Sequence, residues 1–126
     1  MRMPSSAHLK LLRGIRGAIA TDSWFDRWLS DPTAAGPSLV IEEFDSTPWA
    51  SLTYAGMRHG LEFRLSGTIA EVETAYDRLR MLMAEPEFDI AGHFLAEIAL
   101  ADANAVILPD DGMEMRMRYE VLTIEE

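Results

Sequence analysis

The sequence predicts an α+β domain, with helices packed on a mostly antiparallel four-stranded sheet in the order α-(short α)-β-β-α-β-β. Three observations carry this. Met113, Met115, Met117, Tyr119 and Val121 alternate with Glu114, Arg116, Arg118 and Glu120, the period of a half-buried strand. Thr68 and Glu71 have the spacing of a capping box, and Ile69, Val72, Ala75, Tyr76, Leu79, Leu82 and Met83 follow at helical spacing. The length of 126 residues, with 48% apolar and 25% charged residues, suits one globular domain over 1–126.

The first helix follows Ser5 or Ser6, either of which can cap it. Leu11, Leu12, Ile15, Ala18 and Ile19 form one apolar stripe, and Lys10, Arg13 and Arg16 lie opposite. These bases also interrupt any signal-peptide core; a transit peptide is compatible with the composition, but the segment reads better as a helix. The stripe has no aromatic residue and the helix holds Gly14 and Gly17, so core packing suits it better than a membrane surface. Asp22 caps a short turn in which Trp24 and Trp28 share a face, as core or as interface. Asp31–Pro37 reads as a loop.

Ser38–Asp45, with Leu39, Val40, Ile41 and Phe44, is the first strand. His59–Ser66, where Leu61, Phe63 and Leu65 alternate with Glu62, Arg64 and Ser66, is the second. Between them Ser46–Arg58 reads as a long polar loop containing Pro48, Trp49 and Gly56. The helix opened by Thr68 must end near Ala84, because Pro86 restricts Glu85. Phe94 to about Leu108 and the run from Met113 form a hairpin about the turn Pro109-Asp110-Asp111-Gly112.

Charge and composition exclude several functions. Eleven basic residues, ten of them Arg, against twenty-one acidic ones give a net charge of −10. A duplex-DNA reader carries a positive footprint, so groove reading is not expected. The charge is uneven: residues 1–21 hold four bases and no acid, and the remainder carries −14. A basic end on an acidic body suits head-to-tail contact between copies, although charge runs are more often solvated faces. With no cysteine, thiol nucleophiles, disulfides and cysteine-bound metals are excluded. Phe94–Leu108, the longest apolar stretch, is broken by Glu97 and Asp102 and is too short to span a bilayer, so no membrane association is expected.

No catalytic or cofactor constellation assembles. His8, His59 and His93 are far apart in sequence, and Glu97, four residues after His93, need not converge with it on a strand. Glu85, Glu87 and Asp89 lack the Gly and closing Glu of a calcium loop. Phosphate-binding glycine runs are absent. Ser51 and Thr53 beside His59 lack a sequence-visible orienting carboxylate. The expectation is no enzyme, no metal and no cofactor.

The chain from residue 37 onward resembles the tail-terminator (tail-completion) proteins of long-tailed bacteriophages and gene transfer agents. Pro37 opens an extended segment, and Trp49, Ser51, Thr53, Gly56 and His59 follow at the family's spacings, before the alternation of Phe63 and Leu65. Later come Gly92-His93, Leu95 and Ile98, the turn Pro109–Gly112, and Tyr119-Glu120-Val121-Leu122-Thr123. The resemblance implies a virion tail subunit assembled in the bacterial host cytoplasm. It would form a homo-oligomeric, typically hexameric, ring capping the head-proximal end of the tail tube. Its partners would be the tail tube protein and a head-side connector or stopper protein, and DNA would pass through the lumen without specific binding. The candidate interface residues are Trp49, Ser51, Thr53, Tyr54 and Arg58 of the loop, with Lys10, Arg13 and Arg16 of the first helix; Trp49 could equally be a loop anchor in the subunit's own core. The alternative function is a small cytoplasmic ligand-binding or regulatory domain, with Met113, Met115 and Met117 lining an apolar pocket.

Overall fold

The computed structural model describes residues 6–29, 36–84, 90 and 92–126. Helix α1 (Ser6–Ala20) and a 3-10 turn (Ser23–Phe25) precede strands β1 (Ser38–Ala50) and β2 (Ala55–Thr68). Helix α2 (Ile69–Ala84) and strands β3 (His93–Leu108) and β4 (Gly112–Glu125) complete the chain. The four long strands pair antiparallel in the order β1-β2-β4-β3, so β1 and β3 are the edges. One further extended position, Ile90, bridges to His93. The sheet-forming segments thus number five where the sequence reading had four; a single residue is too short to show a period.

One face of the sheet is covered; the other is largely open, except at its β1–β2 turn end, where Leu122 and Ile124 are buried. Leu61, Phe63 and Leu65 of β2 and Met113, Met117, Tyr119 and Val121 of β4 are buried with Leu11, Ile15 and Ile19 of α1 and Val72, Ala75, Leu79 and Met83 of α2. These are the apolar positions that the two periodicities select. The opposite face carries charge: Arg64 binds Glu42 at 2.9 Å and lies 3.9 Å from Glu114. Such half-exposed pairs contribute little stability each, about 0–1 kcal/mol.

The capping box forms as the spacing predicts. The Glu71 backbone N–H donates to Thr68 Oγ1 at 3.1 Å, and the Thr68 N–H donates to Glu71 Oε1 at 3.0 Å. Thr68→Ala removes one half of the exchange and leaves a helix-terminal N–H to water. We expect a loss of about 1 kcal/mol, read as a lower urea midpoint with unchanged slope.

The predicted short helix is a single 3-10 turn. Asp22 caps it, accepting from the Trp24 N–H at 3.0 Å, and also accepts from Arg78 at 3.1 Å. The Arg78 guanidinium sits 4.8 Å over the Trp24 ring, and Trp24 stacks on Trp28 with centroids 5.6 Å apart. Phe25 and Trp28 belong to the core. The aromatic segment is therefore an internal clamp joining the turn to α2.

Tyr119, buried against Phe63, has its phenol pushed up to about 12 by burial; Arg80 opposes the shift and Tyr76 adds to it. A raised folded-state value means that the neutral form is favoured in the fold. Its contribution is fully present below the ordinary value of about 10 and is lost as pH rises towards 12. We expect stability to fall across that window in wild type and less in Tyr119→Phe, measured by urea unfolding at stepped pH.

The largest departure from the sequence reading lies at Ser46–Arg58. Most of that segment is strand: Thr47 pairs with Arg58, Pro48 with Met57 and Trp49 with Gly56, leaving only residues 51–54 as a turn. Pro48 is tolerated because β1 is an edge strand, where a missing N–H need not break the ladder. A register shift between Glu43 and Ser46 marks the irregularity. The sequence readings at Ser5, at 31–35 and at Glu85, Glu87 and Asp89 lie outside the described residues.

Candidate functional site

The β1–β2 hairpin gathers five of the eight candidate interface residues at one end of the sheet. Its turn is closed by the Ser51 N–H donating to the Tyr54 carbonyl at 2.8 Å, with the Tyr54 N–H donating to Ser51 Oγ at 3.1 Å. Thr53 and Tyr54 are exposed, and Leu52 is fully so. Trp49 is half-buried and stands outside the core cluster. Pairing places Trp49 beside Gly56 and Thr47 beside Arg58, so Trp49 and the exposed Arg58 share the uncovered face of the sheet. The tip therefore offers an indole, a phenol, a leucine and a guanidinium to solvent or to a partner.

Of the three candidate bases on α1, Arg16 stands away from this cluster. Arg16 lines a hollow of about 480 Å³ with Ala20, Trp28, Leu29 and the start of β1, Ser38–Ile41. From Ile41 to Ser51 is ten residues of strand, about 30 Å. Arg13 and Arg16 are exposed and Lys10 is half-buried. The sequence reading listed all eight as interface candidates; five gather at the hairpin end, and Arg16 stands at the hollow.

Behind the hairpin lies a polar row that sequence reasoning did not identify. His59, 1% exposed, is hydrogen-bonded through Nδ1 to Ser46 Oγ at 2.9 Å and through Nε2 to Thr123 Oγ1 at 2.8 Å. Both ring nitrogens are thus engaged, and three strands, β1, β2 and β4, are tied together. The pairing of His59 with Ser51 or Thr53 considered from sequence is not made: those residues are in the turn. The register shift before Ser46 turns its hydroxyl to the covered side, which periodicity could not reveal. A hydroxyl stands on the second imidazole nitrogen where a nucleophilic triad needs a carboxylate.

Thr123→Val keeps the shape of Thr123, itself fully buried, but leaves Nε2 of His59 without this partner. We expect a loss of about 1–3 kcal/mol by urea unfolding, because the buried imidazole retains its desolvation cost. A loss below about 0.5 kcal/mol would show that the row has another means of satisfying that nitrogen. Among the described residues no three metal-ligating side chains converge. Met113 and Met117 are buried and Met115 packs against the same cluster, so these methionines fill the core rather than line a ligand pocket.

The fold has a counterpart among solved structures. The chain is similar to a chain of the virion of a native gene transfer agent particle, with a TM-score of 0.74 over 90% of this chain and 94% of that one. Identity is 12%, so the likeness is one of fold. No protein-family model and no curated protein matches the chain.

Proposed function

We propose that this chain is a structural virion protein of a phage-like particle that forms a ring, of six copies, at the head-proximal end of the tail tube. There it ends tube polymerisation and joins the tail to the head-side connector. The observation that carries the reading is the near-complete fold match to a chain of a gene transfer agent virion, in a chain whose residue spacings independently resemble tail terminators. The spacings that carry the resemblance also have physical reasons here. Gly56 is held against the β4 backbone, His59 ties three strands, and Trp49 stands on the hairpin arm opposite Gly56.

In this reading the hairpin end, with Trp49, Leu52, Tyr54 and Arg58, is the axial docking surface towards the tube or the connector. An exposed Tyr54 and Leu52 with a half-buried Trp49 at one end of the sheet suit a contact hot spot. The acidic body, −10 per copy, repels passing DNA and keeps it from adhering to the ring.

The test uses purified chain added to polymerising tail-tube protein. Tubes should stop growing and each should carry the added chain at one end only; tubes of unchanged length distribution would contradict the proposal. Trp49→Ala should retain the fold while capping weakens by tenfold or more, the effect of truncating an interface aromatic worth about 2 kcal/mol.

A further inference from the structure

The two edges of the sheet are built differently. β1 is blunted: it has a register shift after Glu43, Pro48 within it, and the Trp28 carbonyl accepting from its Leu39 N–H at 3.3 Å. These are recognised devices against edge pairing. β3 uses two register shifts in its first half, at Leu95/Glu97 and Leu100/Asp102. From Asp102 to Leu108 it then runs in unbroken register, and no residue from Ala103 to Leu108 is charged. Every residue of β3 from Ala101 onward is exposed, with Val106 at 60% and Ile107 at 63%. The strand ends in Asp110 and Asp111, both exposed and both at positive φ, with no ion pair among the described residues. An apolar strip with an acidic tip has been left open.

The complementary surface lies on the opposite edge of the same molecule. The hollow between α1 and the start of β1 is apolar, with Leu29 43% exposed, and is rimmed by Arg16; Val40, 40% exposed, pairs with Arg64 and so stands at the same edge on the other face. Arg13, one turn earlier on α1, is exposed, and neither arginine has an ion pair with a described residue. The two surfaces are also level. Ser38 pairs with Ser66, which pairs with Glu114, two residues from the start of β4. The acidic tip and the hollow therefore differ by about 7 Å along the strands and stand about 14 Å apart across the sheet.

We propose that successive copies of this chain bind head to tail, the β3–β4 tip of one seated in the α1–β1 hollow of the next. Ile107, on the covered face opposite Met113, then meets Leu29 in the hollow; Val106, on the other face opposite Glu114, meets Val40; and Asp110 and Asp111 meet Arg13 and Arg16. Because the two surfaces are level, the contact moves each copy sideways with little shift along the strands, and a head-to-tail contact with rotation closes into a ring. The opposed charges answer the self-repulsion of a chain at −10. Antiparallel pairing of β3 with β3 is disfavoured, because it would bring acidic residues of the two copies together.

This contact rests on the ring reading above, and its test separates the two. The chain has no cysteine, so Val40→Cys and Val106→Cys, both at exposed positions on the same face of the sheet, introduce the only thiols. Tubes capped with the double variant are oxidised and run on a non-reducing gel. The expected result is a covalent ladder ending at the ring size, with each single variant remaining monomeric. Dimers from Val106→Cys alone would overturn the proposal in favour of two-fold β3 pairing. A ring detected by native mass spectrometry without a ladder would overturn this contact and leave the ring reading standing; loss of both ring and capping would remove the two together. As a second readout, Asp110→Asn with Asp111→Asn keeps residues that tolerate the left-handed turn but removes its charge. Ring formation should then need at least tenfold more protein, and an unchanged threshold would contradict the charge pairing.

Discussion

Phe63→Ala should cost about 4 kcal/mol, among the largest single-residue losses expected in the molecule. Phe63 is fully buried at the centre of β2 and meets Tyr119 edge to face, centroids 5.6 Å apart with an 85° angle between the planes. Truncation removes the ring's transfer energy and its aromatic contact. It leaves a cavity between β2, β4 and α2 that close-packed neighbours refill only in part. Against a typical stability of 5–15 kcal/mol, the variant should be marginal at 37 °C. The urea midpoint measures this; a loss below about 1.5 kcal/mol would mean that the core collapses around the site far more readily than its packing implies.

Gly56→Ala is expected to cost about 3 kcal/mol although it adds a single methyl group. A Cβ at Gly56 would collide with the backbone carbonyl oxygen of Thr123 and stand 3.0 Å from the Ile124 Cα. Both obstacles are main chain of the neighbouring strand, so no side chain can swing aside and β2 and β4 must part locally. Overpacking of this kind typically costs 1–3 kcal/mol, and a rigid obstacle belongs at the upper end. Gly17→Ala is the control. Nothing lies within 4 Å of its added methyl, and alanine is the better helix former, so α1 should gain up to about 1 kcal/mol. Opposite signs for the same substitution, read by thermal unfolding, would establish that close approach governs Gly56.

The elements that the sequence revealed are those whose periodicity acts alone. The α2 capping box, the alternation of Leu61, Phe63 and Leu65, and the methionine-rich face of β4 each follow from local spacing, and each is where it was expected. The Ser46–Arg58 segment was misread because Pro48 and Gly56 have two meanings. Both punctuate loops, but here Pro48 occupies an edge strand and Gly56 a point of backbone contact, neither of which exists until the sheet is assembled. The role of His59 was hidden for a related reason. Its partners Ser46 and Thr123 lie 13 and 64 residues away, and a register shift decides which way Ser46 faces. The division of the interface candidates into a hairpin end and an arginine-lined hollow is likewise a product of strand length, about 30 Å of β1 separating them. The open half of β3 left no sequence signal, since an apolar strand reads the same whether a helix covers it or not.

The most direct test of the central claim is cryo-electron microscopy of particles assembled with this chain, at a resolution that traces its sheet. One ring of six copies is expected between the last tube layer and the head-side connector, with the Trp49–Tyr54 hairpins directed along the tail axis. Finding the chain repeated along the tube, or missing from the head-proximal end, would contradict it.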